Sequence, residues 1–368
     1  MNILFLTTHL NTGGITTYLL TLTKGLVRRG CSVHVASCGG NREEAFIASG
    51  VRLLNINIRT KSELSPRLYL ALPHLRRYVK EHNIEIIHAH TRITQVMGRL
   101  LKTLTRRPYV STCHGYFKPR FSRRIFPCWG DAVIAISQAV CDHLKKDFGV
   151  KKEKTALIPS GLDLEAFPLI DEEKRKRNRR RLGLSDEPLI GIVARLSDVK
   201  GQDILIKAMK KVIERIPRAR LLIAGEGKWE SSLKDLARSL GLTDHVLFYA
   251  GVNETVDSLS MLDVFAMPSR SEGLGLSVME AQACGLPVAA SRVGGIPSLI
   301  EDGQTGFLVE PENPDALAGA LVKILENPGL AKRVGSAARK FIEENCSSDK
   351  MVDKTLALYK GVIDKRHE

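Results

Sequence analysis

The sequence predicts an α/β protein built from two parallel-sheet domains that face each other across a cleft. Three observations support this prediction. The chain has 368 residues, and single hydrophobic cores usually stop growing at roughly 250–300 residues. Short apolar segments alternate with amphipathic ones, which is typical of strands joined by helices across a parallel sheet. The alternation restarts after a charged stretch at residues 171–181.

The first half alternates strand-like and helix-like segments up to residue 158. The strand-like segments are short and apolar, and the helix-like ones repeat apolar residues every three to four positions. Gly30 ends the first helix, as expected for a C-cap. The predicted strands are 3–7, 32–37, 51–56, 84–89, 109–113, 132–137 and 155–158. The predicted helices are 15–29, 67–81, 95–104 and 138–148.

The second half repeats this pattern. Its predicted strands are 189–193, 220–224, 246–250, 264–267, 287–290 and 307–309. Its predicted helices are 202–215, 229–240, 256–261, 276–284 and 315–326, with further helical segments up to residue 359. We therefore predict four regions, an N-terminal domain, an interdomain segment, a C-terminal domain and a final helix that packs back toward the first domain. Their bounds are 1–165, 166–186, 187–345 and 346–368.

The composition is that of a globular protein. It is 43% hydrophobic and 5% aromatic, which excludes a disordered or fibrous chain. The apolar runs are far shorter than the roughly 20 residues of a membrane-spanning helix, and the first residues lack the charged start of a signal peptide. We therefore expect a cytoplasmic protein. Seven cysteines without a Cys-x-x-Cys pair argue against a disulfide framework and a structural zinc site.

The net charge of +15 is concentrated in the first half. Residues 1–165 carry 25 Lys and Arg against 11 Asp and Glu, whereas residues 182–368 carry 23 against 26. A one-sided positive field favours an anionic partner, namely nucleic acid, a phosphate-bearing substrate or an acidic membrane. A general enrichment in basic residues is the alternative.

Candidate phosphate ligands lie where open parallel sheets bind ligands, beyond the carboxyl ends of strands. Gly13 and Gly14 precede the first helix, whose leading N–H groups suit a phosphate, although a purely conformational role is the alternative. Arg195 and Lys200 follow the first strand of the second half. Arg offers two parallel donors and Lys a compact charge, so the pair suits a diphosphate unless both are merely solvated.

The strongest signal is the stretch at residues 268–281. A strand ends here, Gly273 and Gly275 turn the chain, and a helix begins. The glycines expose N–H groups for a phosphate at the start of the helix. Beside that phosphate, Glu280 would accept hydrogen bonds from a ribose and Glu272 from a hexose. Surface charge on an exposed turn is the alternative for either carboxylate.

Two further features have simpler explanations. His88 and His90 alternate along one strand and point the same way. Without a third ligand candidate they are better explained as core or cleft-edge histidines than as a metal pair. The basic run at residues 174–181 is similar to a nuclear localisation signal, but its place between the domains favours a solvated helix.

Several ordered motifs together resemble the GT4 family of retaining, nucleotide-sugar-dependent glycosyltransferases, which have the GT-B fold. The resemblance covers nearly the whole chain. One departure is Ser298, where many members carry Glu after Gly-Gly-x-Pro. The matching motifs are Gly13-Gly14, His114-Gly115, Ile158-Pro159-Ser160-Gly161-Leu162-Asp163 with Phe167, Arg195 with Lys200-Gly201, Gly225-Glu226-Gly227, the Glu-x7-Glu stretch from Glu272 to Glu280, Cys284-Gly285-Leu286-Pro287-Val288, Gly294-Gly295 and Gly306.

The resemblance implies a donor site and a reaction. Arg195 and Lys200 would contact the donor diphosphate, Glu280 the nucleotide ribose, and Glu272 the donor sugar. The anomeric configuration would be retained, by front-face attack assisted by the leaving phosphate. No Asp-x-Asp motif of the metal-dependent transferases is present, so we expect neither a metal nor a cofactor. The nucleotide sugar is a co-substrate, with a UDP-sugar as the first expectation and GDP-mannose as the second.

Other matches complete the implied donor site. Val252 lies where the family's backbone contacts the nucleobase, and His114 matches a histidine beside the donor sugar and the reactive centre. The loop of Gly13 and Gly14 would close on the donor phosphate from the other domain. Four consecutive residues would supply backbone N–H groups to sugar and phosphate: Gly273, Leu274, Gly275 and Leu276.

The N-terminal domain of this fold binds the acceptor, and two of its segments, at 67–80 and 116–126, mix cations with apolar residues. Such mixtures suit an anionic membrane surface, where each cation contributes about 1 kcal/mol. We therefore expect a lipid-linked or envelope glycan acceptor and a peripheral position at the inner face of the membrane. A small phosphorylated acceptor is one alternative. A nucleic-acid-binding protein is another, but no such module is recognisable. The cations expected at this surface are Arg67, Arg76, Arg77, Lys118, Arg120, Arg123 and Arg124.

Overall fold

The computed structural model describes residues 1–60, 62–119, 121–250 and 255–365. Its internal contacts divide the chain into two compact units. The first consists of Met1–Gly161 with the C-terminal segment from Ser348 onward, and the second of Leu162–Ser347. Each unit contains one parallel sheet with helices packed on it, which confirms the prediction of two parallel-sheet α/β domains.

In its described residues, the first unit contains seven strands and, up to Gly161, six α-helices. The strands are β1 (Asn2–Leu6), β2 (Ser32–Ser37), β3 (Arg52–Asn55), β4 (Ile86–Ala89), β5 (Tyr109–Cys113), β6 (Ala132–Ala135) and β7 (Thr155–Leu157). The helices are α1 (Gly14–Arg28), α2 (Glu43–Ala48), α3 (Pro66–Glu81), α4 (Arg92–Thr105), α5 (Phe121–Ile125) and α6 (Gln138–Phe148). The sheet order is β3-β2-β1-β4-β5-β6-β7, and every neighbouring pair is parallel.

The described part of the second unit has a six-stranded parallel sheet. Its strands are β8 (Leu189–Val193), β9 (Arg220–Ala224), β10 (Val246–Tyr249), β11 (Val264–Met267), β12 (Val288–Ser291) and β13 (Phe307–Val309). Its helices are α7 (Glu172–Arg181), α8 (Gln202–Arg215), α9 (Glu230–Ser239), α10 (Thr255–Ser260), α11 (Leu276–Ala283), α12 (Pro314–Leu325) and α13 (Pro328–Asn345). The order is β10-β9-β8-β11-β12-β13.

The strands form the core of each unit because helices cover both faces of a parallel sheet and leave almost no position for a polar side chain. In β1 the four residues from Ile3 to Leu6 are fully buried, and β8 and β11 are buried along their whole length. None of the helices in the described ranges combines the length and the apolar character needed to cross a membrane.

The last helix, α14 (Ser348–Asp364), belongs to the first unit and packs against α1. The two helices approach so closely at Gly25 that a Cβ there would lie 2.4 Å from Val352. Arg29, at the end of α1, donates to the carboxylates of Asp349 and Asp353 at 2.8 and 2.7 Å. Because Gly25 leaves room for a branched side chain, the two helices bury a continuous seam.

The basic helix α7 is mostly exposed, as the sequence suggested, but it also buries one of its cations. Arg179 is only 6% exposed, and its guanidinium donates to the carbonyl of Met261 at 2.8 Å and to the carboxylate of Asp263 at 2.7 Å. Arg175 pairs with the same carboxylate, which also accepts the N–H of Leu189 at 2.7 Å. Asp263 therefore anchors α7 onto the second sheet, and the predicted interdomain segment lies within the second unit.

Replacing Asp263 should release this anchor. Asp263→Ala is expected to lower the free energy of unfolding by about 3 kcal/mol, because it leaves the buried guanidinium of Arg179 without its countercharge. The matched control is Asp257→Ala, whose carboxylate forms a more exposed pair with Lys174 at 2.8 Å and should cost less than about 1 kcal/mol. Urea unfolding measures both variants. Equal losses would contradict the anchoring role of Asp263.

Candidate functional site

The predicted site residues fall into two sets, one in each unit. The second unit holds Arg195, Lys200, Glu272 and Glu280 with the turn between the two glutamates, and the first unit holds His114 with the glycine loop. The basic residues proposed for an acceptor or membrane surface also lie in the first unit. Two predicted residues, Val252 and Arg120, lie outside the described residues.

In the second unit, the structure brings Lys200 and Glu272 together. Strands β8 and β11 are neighbours in the parallel sheet, so the loops that follow them leave at the same edge. Lys200 lies in the first loop and Glu272 in the second, where the ammonium forms an ion pair with the carboxylate. The hydroxyl of Ser269 donates to the same carboxylate oxygen at 3.1 Å. A cation and an acceptor group are thereby fixed side by side.

A residue that the sequence analysis did not single out joins these two loops. The backbone N–H of Arg270 donates to the carbonyl of Val199 at 2.9 Å, and its guanidinium forks the carboxylate of Asp203 with two hydrogen bonds of 2.8 Å. Burial alone would raise the pKa of Asp203, but the hydrogen bonds and charge of Arg270 outweigh it and lower that pKa. Arg270 lies within the 268–281 stretch, and this motif was the feature of the sequence that could have identified it as a site residue.

Gly201 permits the close approach of the Lys200 loop to β11. It adopts a left-handed φ of 68°, and a Cβ there would lie only 2.0 Å from the carbonyl oxygen of Pro268. A side chain would push the loop away from the strand end. The glycine that follows Lys200 is therefore required by the packing that places its ammonium.

Arg195 presents a different environment from Lys200. Its side chain is exposed, and its guanidinium makes no ion pair with any residue in the described ranges. Its backbone is held, since its carbonyl accepts a hydrogen bond from the Gln202 amide at 3.0 Å. An exposed guanidinium on an anchored backbone is suited to an anionic ligand.

Glu280, in α11, is a buried carboxylate with unused acceptor capacity. Its side chain is 8% exposed, and among the described groups none donates a hydrogen bond to its carboxylate. Burial raises the pKa of Glu280 to about 7, an effect that the nearby charge of Lys200 partly offsets. Buried carboxylates are normally hydrogen-bonded, so this one is suited to a ligand that brings hydroxyl donors.

The turn before α11 supplies backbone groups. Leu274 is 3% exposed, so its side chain belongs to the core and only its backbone is available. The first hydrogen bonds of α11 run from the N–H groups of Val278 and Met279 to the carbonyl of Gly275. The N–H groups that precede them at the start of a helix have no intrahelical partner and favour an anion.

In the first unit, His114 follows β5 directly. Its Nε2 lies 3.0 Å from Nδ1 of His90, and its ring meets Tyr18 edge to face with centroids 4.8 Å apart. Burial lowers the pKa of His114 to about 3, so the imidazole is neutral at physiological pH. Gly13 and Gly14 are exposed at the start of α1.

The histidines at the end of β4, His88 within the strand and His90 just after it, lie in the core. His88 is fully buried with both ring nitrogens hydrogen-bonded, to the Tyr359 hydroxyl at 2.5 Å and to the Thr112 hydroxyl at 2.7 Å. His90 is 1% exposed. Over the ranges that the structure describes, no group of three or more His, Cys, Asp or Glu side chains is placed to hold a metal ion.

Most of the predicted surface cations in the first unit are exposed. The exception is Arg123, which is half-buried because its guanidinium stacks 4.0 Å above the ring of Phe117. It is therefore a packing residue as well as a cation. The exposed cations are Arg67, Arg76, Arg77, Lys118 and Arg124.

The chain matches two glycosyltransferase family models and is similar to characterised relatives along most of its length. Residues 174–341 match the model of the glycosyl transferases group 1 family, and residues 12–166 match that of glycosyltransferase family 4. The chain is 32% identical over 353 residues to a GDP-mannose-dependent alpha-(1-6)-phosphatidylinositol monomannoside mannosyltransferase of Mycolicibacterium smegmatis, covering 90% of this chain and 91% of that protein. It is 28% identical to a D-inositol 3-phosphate glycosyltransferase of Corynebacterium diphtheriae, covering 89% of this chain and 84% of that protein.

Solved structures share the fold over almost the whole chain. A glycosyltransferase from Rickettsia africae superposes with a TM-score of 0.86 at 23% identity, covering 98% of each chain. HepE of Anabaena, solved with UDP and glucose, superposes with a TM-score of 0.87 at 23% identity, covering 98% of this chain and all of its own. The expected GT-B fold is thereby confirmed.

The buried carboxylate of Glu280 should make stability depend on pH. Because its pKa rises from 4.5 to about 7 on folding, the folded chain keeps a proton that the unfolded chain releases, and stability falls as pH rises through this window. Glu280→Gln removes this penalty. The unfolding free energy of the variant relative to wild type should therefore grow by on the order of 3 kcal/mol between about pH 4.5 and pH 8.

Chemical unfolding at several pH values measures this difference. Glu173→Gln is the matched control, since its side chain is 80% exposed on α7, and its effect should stay within about 0.5 kcal/mol throughout. A difference for Glu280→Gln that does not change with pH would show that the carboxylate is not desolvated in the folded protein.

Proposed function

Since the chain belongs to glycosyltransferase family 4, we propose a specific reaction for this enzyme. It moves a hexose or N-acetylhexosamine from a nucleotide sugar to a lipid-linked or envelope glycan, with retention of the anomeric configuration. The donor binds at the carboxyl edge of the second sheet. One observation carries this assignment, namely the grouping of Lys200, Glu272 and Glu280 at α11, where the Glu280 carboxylate accepts no hydrogen bond from the described residues.

Each part of this group fits one part of a nucleotide sugar. The diphosphate lies against Lys200, Arg195 and the backbone N–H groups at the start of α11, since all three favour negative charge. Ribose hydroxyls donate to the buried carboxylate of Glu280, and sugar hydroxyls donate to Glu272. The ammonium of Lys200 has three N–H donors, so its bond to Glu272 leaves two for phosphate oxygens.

The mechanism follows from the charge that develops in the transition state. Cleavage of the bond between sugar and phosphate places negative charge on the leaving diphosphate and positive character on the sugar. Lys200 and Arg195 strengthen their contacts with the diphosphate as its charge grows, and this lowers the barrier. Retention would arise from attack on the same face, with the leaving phosphate accepting the proton of the acceptor hydroxyl.

Two donors are consistent with the site. A UDP-sugar is our first choice, and HepE was solved with UDP and glucose. GDP-mannose is the second, because the relative from Mycolicibacterium smegmatis is named as GDP-mannose-dependent. A nucleotide that binds only the folded state raises the melting temperature with concentration, so thermal shifts with UDP, GDP and ADP rank the bases, and hydrolysis of the matching sugars ranks the donors.

Loss of Lys200 tests the donor site. Lys200→Ala is expected to reduce kcat/KM by at least about 100-fold with the preferred donor, because the leaving diphosphate loses a fixed cation. Lys211→Ala is the matched control, since this lysine is exposed on α8 and pairs only with Asp315 among the described residues. Circular dichroism and melting temperature verify the folded state. Near-wild-type kcat/KM in a folded Lys200→Ala enzyme would overturn the proposed donor site.

The acceptor surface is proposed for the first unit, where two apolar and basic segments lie next to each other. The guanidinium of Arg92 forks the carboxylate of Glu63, just before α3, at 2.9 and 2.8 Å, and also donates to the carbonyl of Phe126, just after α5, at 3.0 Å. This contact joins the two segments. Their exposed apolar side chains are Tyr69, Leu70, Tyr116, Phe121, Ile125 and Phe126, and Leu64 is exposed just before the first segment.

Apolar side chains beside cations are suited to the headgroup region of an anionic membrane. Leu64, Leu70 and Phe121 are each more than three-quarters exposed, and Arg67 and Arg124 lie in the same segments. We therefore propose that the enzyme binds the membrane peripherally through this surface and finds its acceptor there. Transfer to a small phosphorylated acceptor is the second candidate, favoured by the relative named D-inositol 3-phosphate glycosyltransferase.

Vesicle binding tests the membrane surface. The double variant Arg67→Glu and Arg124→Glu is expected to bind anionic vesicles at least about tenfold more weakly, because each basic residue near the surface contributes about 1 kcal/mol. The control reverses two exposed lysines of the second unit, Lys211→Glu and Lys234→Glu, and so makes the same change in net charge. Wild-type binding should weaken with added salt. Equal recovery of wild-type enzyme with anionic and neutral vesicles at low salt would refute the proposal.

A further inference from the structure

We propose that His90 is a positioning residue for His114, which it holds in the tautomer that carries its hydrogen on Nδ1. The inference rests on the proposed function and on the role that the family resemblance implies for His114, as a histidine beside the donor sugar. His90 does not touch the donor in this scheme. It determines whether His114 offers the substrate an N–H group or a lone pair.

The geometry places the two rings in direct contact. His90 follows β4 and His114 follows β5, and these strands are parallel neighbours. His90 is held by its own backbone, since its N–H donates to the carbonyl of Leu6 at 3.1 Å. Nδ1 of His90 lies 3.0 Å from Nε2 of His114. One of these two nitrogens must carry the hydrogen between them.

Both imidazoles are neutral, so each carries one hydrogen. The rings that contact His90 are those of Phe5, Tyr18 and His88, together with His114 itself, and none of them supplies a negative charge. Burial lowers the pKa of His90 well below its ordinary value, and the neighbouring imidazoles lower it further. A hydrogen on one nitrogen of either ring therefore means a lone pair on the other.

The second nitrogen of His90 decides the direction of the hydrogen bond. Nε2 of His90 is buried and has no hydrogen-bond partner within the part of the chain that is described. If Nδ1 accepted from His114, the hydrogen of His90 would sit on Nε2 as a buried donor without an acceptor. If Nδ1 donates, only a lone pair is left unpaired. Buried orphan N–H groups are rarer than under-satisfied acceptors, so His90 donates to His114.

The neighbouring histidine cannot take over this task. Both nitrogens of His88 are occupied, by Tyr359 and Thr112, and its ring packs 4.3 Å from that of His90. The ring of Phe5 stacks on the ring of His90, with the two centroids 5.6 Å apart. His88 and Phe5 therefore fix the plane of the His90 ring, and among the described residues only His90 hydrogen-bonds to a ring nitrogen of His114.

The tautomer has a chemical consequence. With Nε2 accepting from His90, His114 carries its hydrogen on Nδ1 and offers a donor to an oxygen of the donor sugar or of the leaving group. A donor can stabilise an oxygen that gains negative charge, whereas it cannot remove a proton. His114 is thereby assigned as a hydrogen-bond donor and not as a general base.

Nitrogen-15 NMR of histidine-labelled protein tests the tautomer without any substrate. The signals lost in His114→Gln identify the two ring nitrogens of His114. At neutral pH we expect a protonated Nδ1 and a bare Nε2. The opposite pattern, with the hydrogen on Nε2, would overturn the inference whatever the fate of the donor-site proposal.

Two substitutions of His90 separate its hydrogen bond from its packing. His90→Asn retains an N–H donor near the position of Nδ1 and should keep the His114 tautomer and most of kcat. His90→Phe retains a ring without a donor and should alter the His114 signals and lower kcat by about 10- to 100-fold, in the range seen for residues that orient a functional ligand. Equal kcat for both variants would contradict the positioning role.

The control removes a different hydrogen bond from the same cluster. Thr112→Val deletes the partner of His88 at constant shape, so it should lower the melting temperature but leave the His114 tautomer and kcat unchanged. If His114→Gln itself retained full activity, the proposed contact between His114 and the donor would fail, whereas the tautomer measurement would still decide the role of His90. A Thr112→Val enzyme with a changed tautomer would indicate a general packing effect and overturn the specific one.

Discussion

Parallel strand pairing is the constraint on which both candidate sites depend. In a parallel sheet all carboxyl ends lie along one edge, so loops that are distant in sequence must meet there. Lys200 and Glu272 are separated by 72 positions and nevertheless form an ion pair, because β8 and β11 are neighbours. The same rule in the first unit brings His90 and His114 together behind β4 and β5. In the second unit, Arg270 also binds the loop after β11 to the loop after β8, which restricts the movement of both.

The two units use opposite electrostatic strategies at these edges. The second places charged groups close together, with Lys200 neutralised in part by Glu272 and Glu280 desolvated beside it. In the proposed donor site, the phosphates would lie against the cations and hydroxyl groups would donate to the carboxylate. The first buries neutral imidazoles, where a single hydrogen determines whether a group donates or accepts. In the proposed reaction, the cations of the second unit would stabilise the charge of the leaving diphosphate, and His114 would act as a hydrogen-bond donor.

The order and type of most elements could be predicted from local sequence, because buried parallel strands are short apolar runs and their helices are amphipathic. Helix α2 was not predicted, since only Phe46 of its six residues is buried and no apolar repeat marks it. The burial of Arg179 and the meeting of His90 with His114 depend on partners that are distant in sequence. The grouping of Lys200 with Glu272 was suggested by motif order, but the fork of Arg270 on Asp203 required the folded loops.

The chain leaves the first unit after Gly161 and returns to it at Ser348, and this order has a consequence for biosynthesis. The first unit begins with Met1 but is completed only by α14, whose Val352 and Tyr359 are fully buried. The ribosome therefore releases the whole second unit before the first can close the seam along α1. The apolar face of α1 therefore stays uncovered in the nascent chain while the second unit is synthesised. A stop codon near residue 347 would remove α14 and so destabilise the first unit, although that unit is translated first.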